Sequence, residues 1–217
     1  LIDYAAHSGA VFVPCRLIAF PEFFLQGHVW SRPAAEIMAN EAITIPGEET
    51  DMLGEKAKQH KLYIVGTAYA NDPEFPNRFV NNGFIIRPNG KDVLKYYKLC
   101  TNSGIEAACS PHDFWDEYVA KKGESLDSFF PVARTEIGNI AVFICYDGTY
   151  PEVARGFAVN GAEILVHSTA WPDPHITPPM DYWALMNRAR AWENTCYVIA
   201  PNWGMNTLPT PCPRNMW

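Results

Sequence analysis

Two hydrophobic periods alternate along this 217-residue chain, and that alternation limits its fold more than any other feature. Short runs rich in β-branched and aromatic residues read as strands: LYIVGTAYA at 62–70, NIAVFICY at 139–146, EILVHST at 163–169 and CYVIAPN at 196–202. Between them lie segments with helical spacing: GEETDMLGEKAKQH at 47–60, PEVARGFAVNG at 151–161 and MDYWALMNRARAWEN at 180–194. Pro151 suits a first helical turn and Gly161 a helix stop. VFVPCRLIAF (11–20) is a further strand, although Pro14 weakens it, and residues 1–8 read as the end of a helix stopped by Gly9. FVNNGFIIRP and DVLKYYK flank the turn Pro88-Asn89-Gly90 and predict a hairpin. Strands alternating with helices predict a layered α/β fold, with antiparallel pairing at the hairpin.

Composition narrows the function. A hydrophobic share of 48% against 19% charged residues supplies a sizeable core and excludes a disordered chain. The formal charge of -7 and the lack of a basic block exclude a nucleic-acid surface or an anionic-membrane surface. No apolar stretch is long enough to span a bilayer. The six cysteines (15, 100, 109, 145, 196, 212) form no C-x-x-C pair and match no zinc spacing. With this much core a disulfide scaffold is not expected, so the thiols predict a reducing, cytoplasmic setting. The six histidines (7, 28, 60, 112, 167, 175) are scattered, and none pairs at helical metal-ligand spacing. One domain over 1–217 is expected. LIDYAAHSGA lacks a signal-peptide pattern, TLPTPCPRNMW lacks periodicity, and both ends read as cut.

The chemistry centres on FICYDGTYPE (143–152), where an apolar run ends in a cysteine and a turn follows at once. A thiol where a strand stops is placed as a nucleophile is placed. It needs a base and a charge-stabilising partner. Two other strand ends offer them: Glu22 in AFPEFF, expected to be half buried, and Lys98 in KYYK. Strand ends in a layered α/β fold converge on one rim, where sites form. An ammonium near Cys145 favours thiolate, and a carboxylate beside it accepts the proton and later activates water. Lys98 and the backbone N–H of Tyr146 could hold the oxyanion of a tetrahedral intermediate.

In this order, Pro21-Glu22-Phe23, Lys95-Tyr96-Tyr97-Lys98, Cys145-Tyr146-Asp147 and Tyr150-Pro151-Glu152 resemble the nitrilase superfamily of carbon–nitrogen hydrolases. GAEILV (161–166) and NRARAWENTCYVIAPN (187–202) resemble its following strand and helix, so the likeness covers nearly the whole chain up to Asn202. The resemblance implies a four-layer α-β-β-α sandwich and a Glu22-Lys98-Cys145 triad. It also implies a second glutamate, Glu106, that positions the substrate or the lysine; Tyr146, next to the cysteine, and Trp171, just past a strand, are expected to contact the substrate. No metal or organic cofactor is implied. The implied partners are a small amide or nitrile-like substrate and further copies of the chain, as a dimer or larger. Cys-Tyr-Asp differs from the Cys-Trp-Glu of nitrilases, and Gly148-Thr149 stand where carbamoylases of amino acids carry arginine, which favours a neutral amide. The gap of 47 residues from Lys98 to Cys145 (145 − 98) is closer to carbamoylases, and its added segment HDFWDEYVAKKGESLD reads as a loop near the pocket mouth.

Each residue also has a plainer reading. Cys145 alone would pack as a small core hydrophobe, and Glu22, Lys98 and Glu106 alone would be ordinary surface charges. His167 and Trp171 are equally well a satisfied polar histidine and a packed tryptophan. Glu152 and Arg155 fit a helix first turn and a helix face, and the other cysteines read as inert. Trp183, Trp192 and Met186 read as core or subunit contact. Three alternatives stay open: a nitrilase or carbamoylase of the same family, a non-catalytic binding or scaffold copy of the fold, and a Cys-His hydrolase using His167.

Overall fold

The computed structural model describes residues 1–9, 13–27, 32–91, 93–102, 104–171 and 182–203. In chain order the elements begin α1 (Ile2–Gly9), β1 (Leu17–Ala19), α2 (Ala34–Asn40), α3 (Glu48–His60), β2 (Tyr63–Asn71), β3 (Phe79–Ile86) and β4 (Val93–Tyr97). They continue as α4 (Trp115–Lys122), α5 (Leu126–Phe129), β5 (Ile140–Ile144), α6 (Pro151–Val159), β6 (Ile164–Ser168), α7 (Tyr182–Asn194) and β7 (Tyr197–Ile199). Strands β1-β2-β3-β4 form one sheet, with β1 parallel to β2 and the β2-β3-β4 meander antiparallel. Strands β5-β6-β7 form a second, wholly parallel sheet.

The two-residue period of the strands explains the layering. On β2, Tyr63 and Val65 join Ile85, Tyr96 and the β5 residues between the sheets. Their neighbours Ile64, Ala68 and Ala70 turn outward onto Ala6 of α1 and Leu53 and Ala57 of α3. Helix α6 covers the far face of the second sheet with Val153, Ala154 and Phe157, and α7 lies against α6 and β7. The order is therefore helix, sheet, sheet, helix, the four-layer sandwich that the resemblance implies. Gly83 allows the sheets to meet: a Cβ there would lie 2.9 Å from Val142 Cγ1.

Several expected elements are corrected. The strand drawn over 11–20 is ordered as a strand only at Leu17–Ala19, because Pro14 has no N–H for the ladder; residues 11 and 12 lie outside the described residues. The last strand is likewise short, Tyr197–Ile199 at the sheet edge. Segment 112–127 is helical, not a loop. The Ser110 side chain caps a 3-10 turn at Pro111–Phe114, and α4 follows. Phe114 and Tyr118, four residues apart on one helical face, close over Phe75 at ring distances of 5.0 and 5.5 Å. Burying those rings gives the segment an apolar face and makes it a helix. Residues 180–181, His28, His175, Cys212 and the Pro-rich end lie outside the described residues. Among the described residues, no helix is long and apolar enough to cross a membrane.

Candidate active site

Three chain segments leave the two sheets side by side. After β1, the Glu22 backbone N–H donates to the Thr169 carbonyl just beyond β6, 3.3 Å away. The next residue, Phe23, has a left-handed φ of 58°, and its N–H is held by Thr67 Oγ1 at 3.2 Å. After β4, the Lys98 N–H donates to the Asn81 carbonyl on β3 at 2.9 Å. After β5, Cys145 turns the chain with φ 45° into a 3-10 turn over Cys145–Thr149. Left-handed backbone at a non-glycine residue is strained and persists only where its surroundings hold it. Here the residue after Glu22 and the cysteine itself both carry it.

Fixed contacts hold the cysteine turn. His167 Nε2 donates to the Cys145 carbonyl at 2.9 Å. A Cβ on Gly148 would sit 2.4 Å from His167 Cε1, so only glycine fits there. Arg190 on α7 donates to the carbonyls of Gly148 and Thr149 at 3.0 and 3.3 Å. Asp147, fully buried, accepts from the Ile144 N–H (2.9 Å), the Tyr96 hydroxyl (2.8 Å) and the Cys100 N–H (2.8 Å). It thereby ties the exit of β5 to the exit of β4. Burial pushes its carboxyl up to about 6, against the pull of Lys98 and these donors.

The side chains converge in the interior. Lys98 Nζ donates to Glu22 Oε1 at 3.0 Å and to Glu106 Oε2 at 2.7 Å. Glu22 is 1% exposed and Lys98 2%, so the half-buried carboxylate expected from the sequence is in fact enclosed. Glu22 Oε2 accepts from the Ala170 N–H at 3.1 Å, and the Glu22 carboxyl lies close enough to the Cys145 thiol for each to act on the other's ionisation. Asn81 Nδ2 donates to Glu22 Oε1 at 2.8 Å and to Glu106 Oε1 at 2.7 Å. The structure thus brings Glu22, Lys98, Glu106 and Cys145 together.

The electrostatics depart from expectation at the thiol. Burial, and next the Glu22 charge, hold Cys145 well above the ordinary thiol range, and Lys98 only partly opposes them. Lys98 does favour thiolate, but it also faces two carboxylates, and its pull on the thiol is outweighed. Burial alone would lower the Lys98 ammonium, but Glu22 and Glu106 outweigh it and hold it firmly protonated. Burial likewise raises Glu22, with Glu106 adding and Lys98 opposing. The resting site is a neutral thiol beside a carboxylate of raised basicity.

The other predicted residues stand apart. The Tyr146 ring packs edge-on to Tyr150 at 5.5 Å, and its N–H lies in the first turn after Cys145, where N–H groups lack intrahelical partners. Trp171 follows Ala170, gives its N–H to Asn202 Oδ1 at 2.8 Å and sets its ring 5.7 Å from Tyr182. Among the described residues it has no hydrogen bond or ring contact with the four converging side chains. His167 is the satisfied polar histidine: its Nδ1 pairs with the Asn187 side-chain amide at 2.7 Å, so neither ring nitrogen is left for the thiol. That arrangement removes the Cys-His hydrolase reading. Asn81 and the Ala170 N–H went unnoticed in the sequence. The signal for Asn81 was two consecutive asparagines in an apolar strand, where asparagine is disfavoured. Among the described residues, no group of three or more His, Cys, Asp or Glu could hold a metal ion.

Known proteins resemble the chain in sequence and in fold. The carbon-nitrogen hydrolase family profile matches residues 4–206. A formamidase of Bacillus cereus (strain B4264) is 34% identical over 187 residues, covering 86% of this chain and 49% of the formamidase. The chain therefore spans about half the length of the curated relatives it matches. Saccharomyces cerevisiae Nit3, of branch 10 of the nitrilase superfamily, superposes with a TM-score of 0.71 at 22% identity, over 95% of this chain and 69% of Nit3. The E41Q amidase of Nesterenkonia sp. AN1, seen with acrylamide added at its active-site cysteine, gives a TM-score of 0.68 at 22% identity, over 93% of this chain and 70% of the amidase. With the profile match running almost end to end, the chain belongs to the carbon-nitrogen hydrolase family.

Proposed function

We propose that this chain carries the catalytic centre of an amidase that hydrolyses small neutral amides through a Cys145 thioester. The observation that carries the reading is the enclosed Glu22 carboxylate, which accepts from Lys98 at 3.0 Å and stands near enough to the Cys145 thiol to act on its ionisation. As Sγ attacks the amide carbonyl carbon, Glu22 takes the thiol proton. The oxyanion is held by Lys98 and the Tyr146 N–H. Removing one such donor typically costs about 3 kcal/mol of barrier. Glu22 then passes its proton to the leaving nitrogen, the C–N bond breaks and ammonia departs. A water molecule gives a proton to Glu22 and attacks the thioester, and return of that proton to sulfur releases the acid. The raised basicity of Glu22 suits a group that must both take and give this proton. Glu106, bonded to Lys98, positions the lysine or the substrate amide. Tyr146 and Trp171 flank the nucleophile and Ala170, and a contact with substrate is proposed for both. Short amides, formamide included, come first, in keeping with the formamidase and amidase names of the relatives.

The test is ammonia release from short amides, N-carbamoyl compounds and nitriles, by the chain and by Cys145→Ala. Release from the amides that vanishes in Cys145→Ala is the expected result. No release from a cooperatively folded chain would overturn the reading in favour of a binding or scaffold copy of the fold. Release confined to nitriles or carbamoyl compounds would replace the substrate class.

A further inference from the structure

Asn81 is fully buried on β3, and its side chain reaches both acids of the site. One nitrogen, Nδ2, donates to Glu22 Oε1 at 2.8 Å and Glu106 Oε1 at 2.7 Å. Its backbone carbonyl accepts the Lys98 N–H at 2.9 Å. A single residue therefore touches the carboxylate beside the thiol, the second carboxylate and the lysine between them. Its orientation is forced, because turning the amide over would face Oδ1 against two carboxylates. The forced orientation leaves Oδ1 buried without a hydrogen-bond partner among the described residues. A buried polar atom without a partner costs stability and calls for an explanation. A fold selected for stability alone would place an apolar residue here. The explanation lies in what the two N–H groups do: charge-assisted donation favours the ionised form of a carboxylate.

We propose that Asn81 is a positioning residue for the general base. It fixes Oε1 of Glu22 so that Oε2, on the Ala170 N–H, is the oxygen left for the thiol proton. Its N–H donation also favours the ionised form of Glu22 beside a second acid side chain. The inference rests on the reading of Glu22 as the base that takes the Cys145 proton.

Alkylation of Cys145 by iodoacetamide, followed against pH by mass spectrometry of its peptide, needs no substrate and tests it. Asn81→Asp keeps the size, removes both donors and adds a third acid. Asn81→Leu removes the donors without adding charge. Both should move the alkylation midpoint to higher pH, Asn81→Asp by about one unit or more. In amide hydrolysis kcat should fall with KM little changed. A midpoint that stays put in folded variants overturns the proposal, and so does failure of both variants to fold, which would make Asn81 a folding residue. Glu22→Gln is the control for the underlying reading. If it leaves the midpoint unmoved, Glu22 is not the base and the proposed mechanism fails instead.

Discussion

Enclosure of charge sets the behaviour of single residues in this protein. His167 lies stacked on Phe143, ring centroids 4.3 Å apart and planes 6° from parallel, inside the second sheet. Burial pulls its imidazole down to about 4 although the Cys145 carbonyl and Asn187 favour the charged form. The unfolded histidine takes up its proton near the ordinary 6.5, the folded one only near 4. Its stabilising contribution is thus whole above pH 6.5 and is lost as pH falls towards 4, about 3 kcal/mol in all. Asp147 acts with the opposite sign: its folded carboxyl, up to about 6, favours the native state at low pH and loses that contribution as pH rises through 6. The raw pH curve mixes the two, so the comparison is with His167→Asn. Urea unfolding should show the stability gap between wild type and variant shrinking by about 3 kcal/mol from pH 7 to pH 4. A constant gap would show that His167 stays unshifted. Glu22, Lys98 and Cys145 were legible at this scale from their motifs. Their ionisation was not, because a pKa depends on neighbours drawn from the whole chain.

Elements matter here through how they end. Each of the three segments that carry the site begins one to three residues past a strand, and side-chain anchors decide where those ends lie. Asp147 is the anchor that joins two of them, the exits of β4 and β5. Asp147→Ala leaves the Ile144 and Cys100 N–H groups and the Tyr96 hydroxyl without their acceptor, each at about 1–3 kcal/mol. Thermal unfolding should drop sharply, and any remaining folded protein should lose amide hydrolysis, since Cys145 and Lys98 are no longer held in register. Wild-type activity in folded Asp147→Ala would show that the strut is dispensable. Element types were largely readable from period. The errors fell at β1, where Pro14 cut the ladder short, and at 112–127, where a charged, loop-like sequence hides Phe114 and Tyr118 on one helical face.

The whole molecule is two sheets face to face with helices outside, and among the described residues α7 and β7 expose large apolar side chains on one flank, with Arg188 among them. Trp192 is 89% exposed and Tyr197, on edge strand β7, 79%. Leu185 lies seven residues before Trp192 on α7, on the same face, and is also exposed. The resemblance implies an assembly of two or more copies, and this flank is where a substitution tests it. Light scattering should give a mass of at least two chains, and Trp192→Glu should reduce it to one. A monomeric wild type at high concentration would refute this. The sequence by itself determined the α/β alternation, the strand-end placement of Glu22, Lys98 and Cys145, and the family, because period and motif are local properties of the chain. Only the tertiary structure decided that Lys98 is shared by two carboxylates, that the thiol rests protonated, that His167 is spent on a backbone carbonyl, and that Asn81 joins both acids. Those facts depend on burial and on hydrogen bonds between residues far apart in sequence, such as Asn81 with Glu22, 59 residues away. No local pattern encodes them.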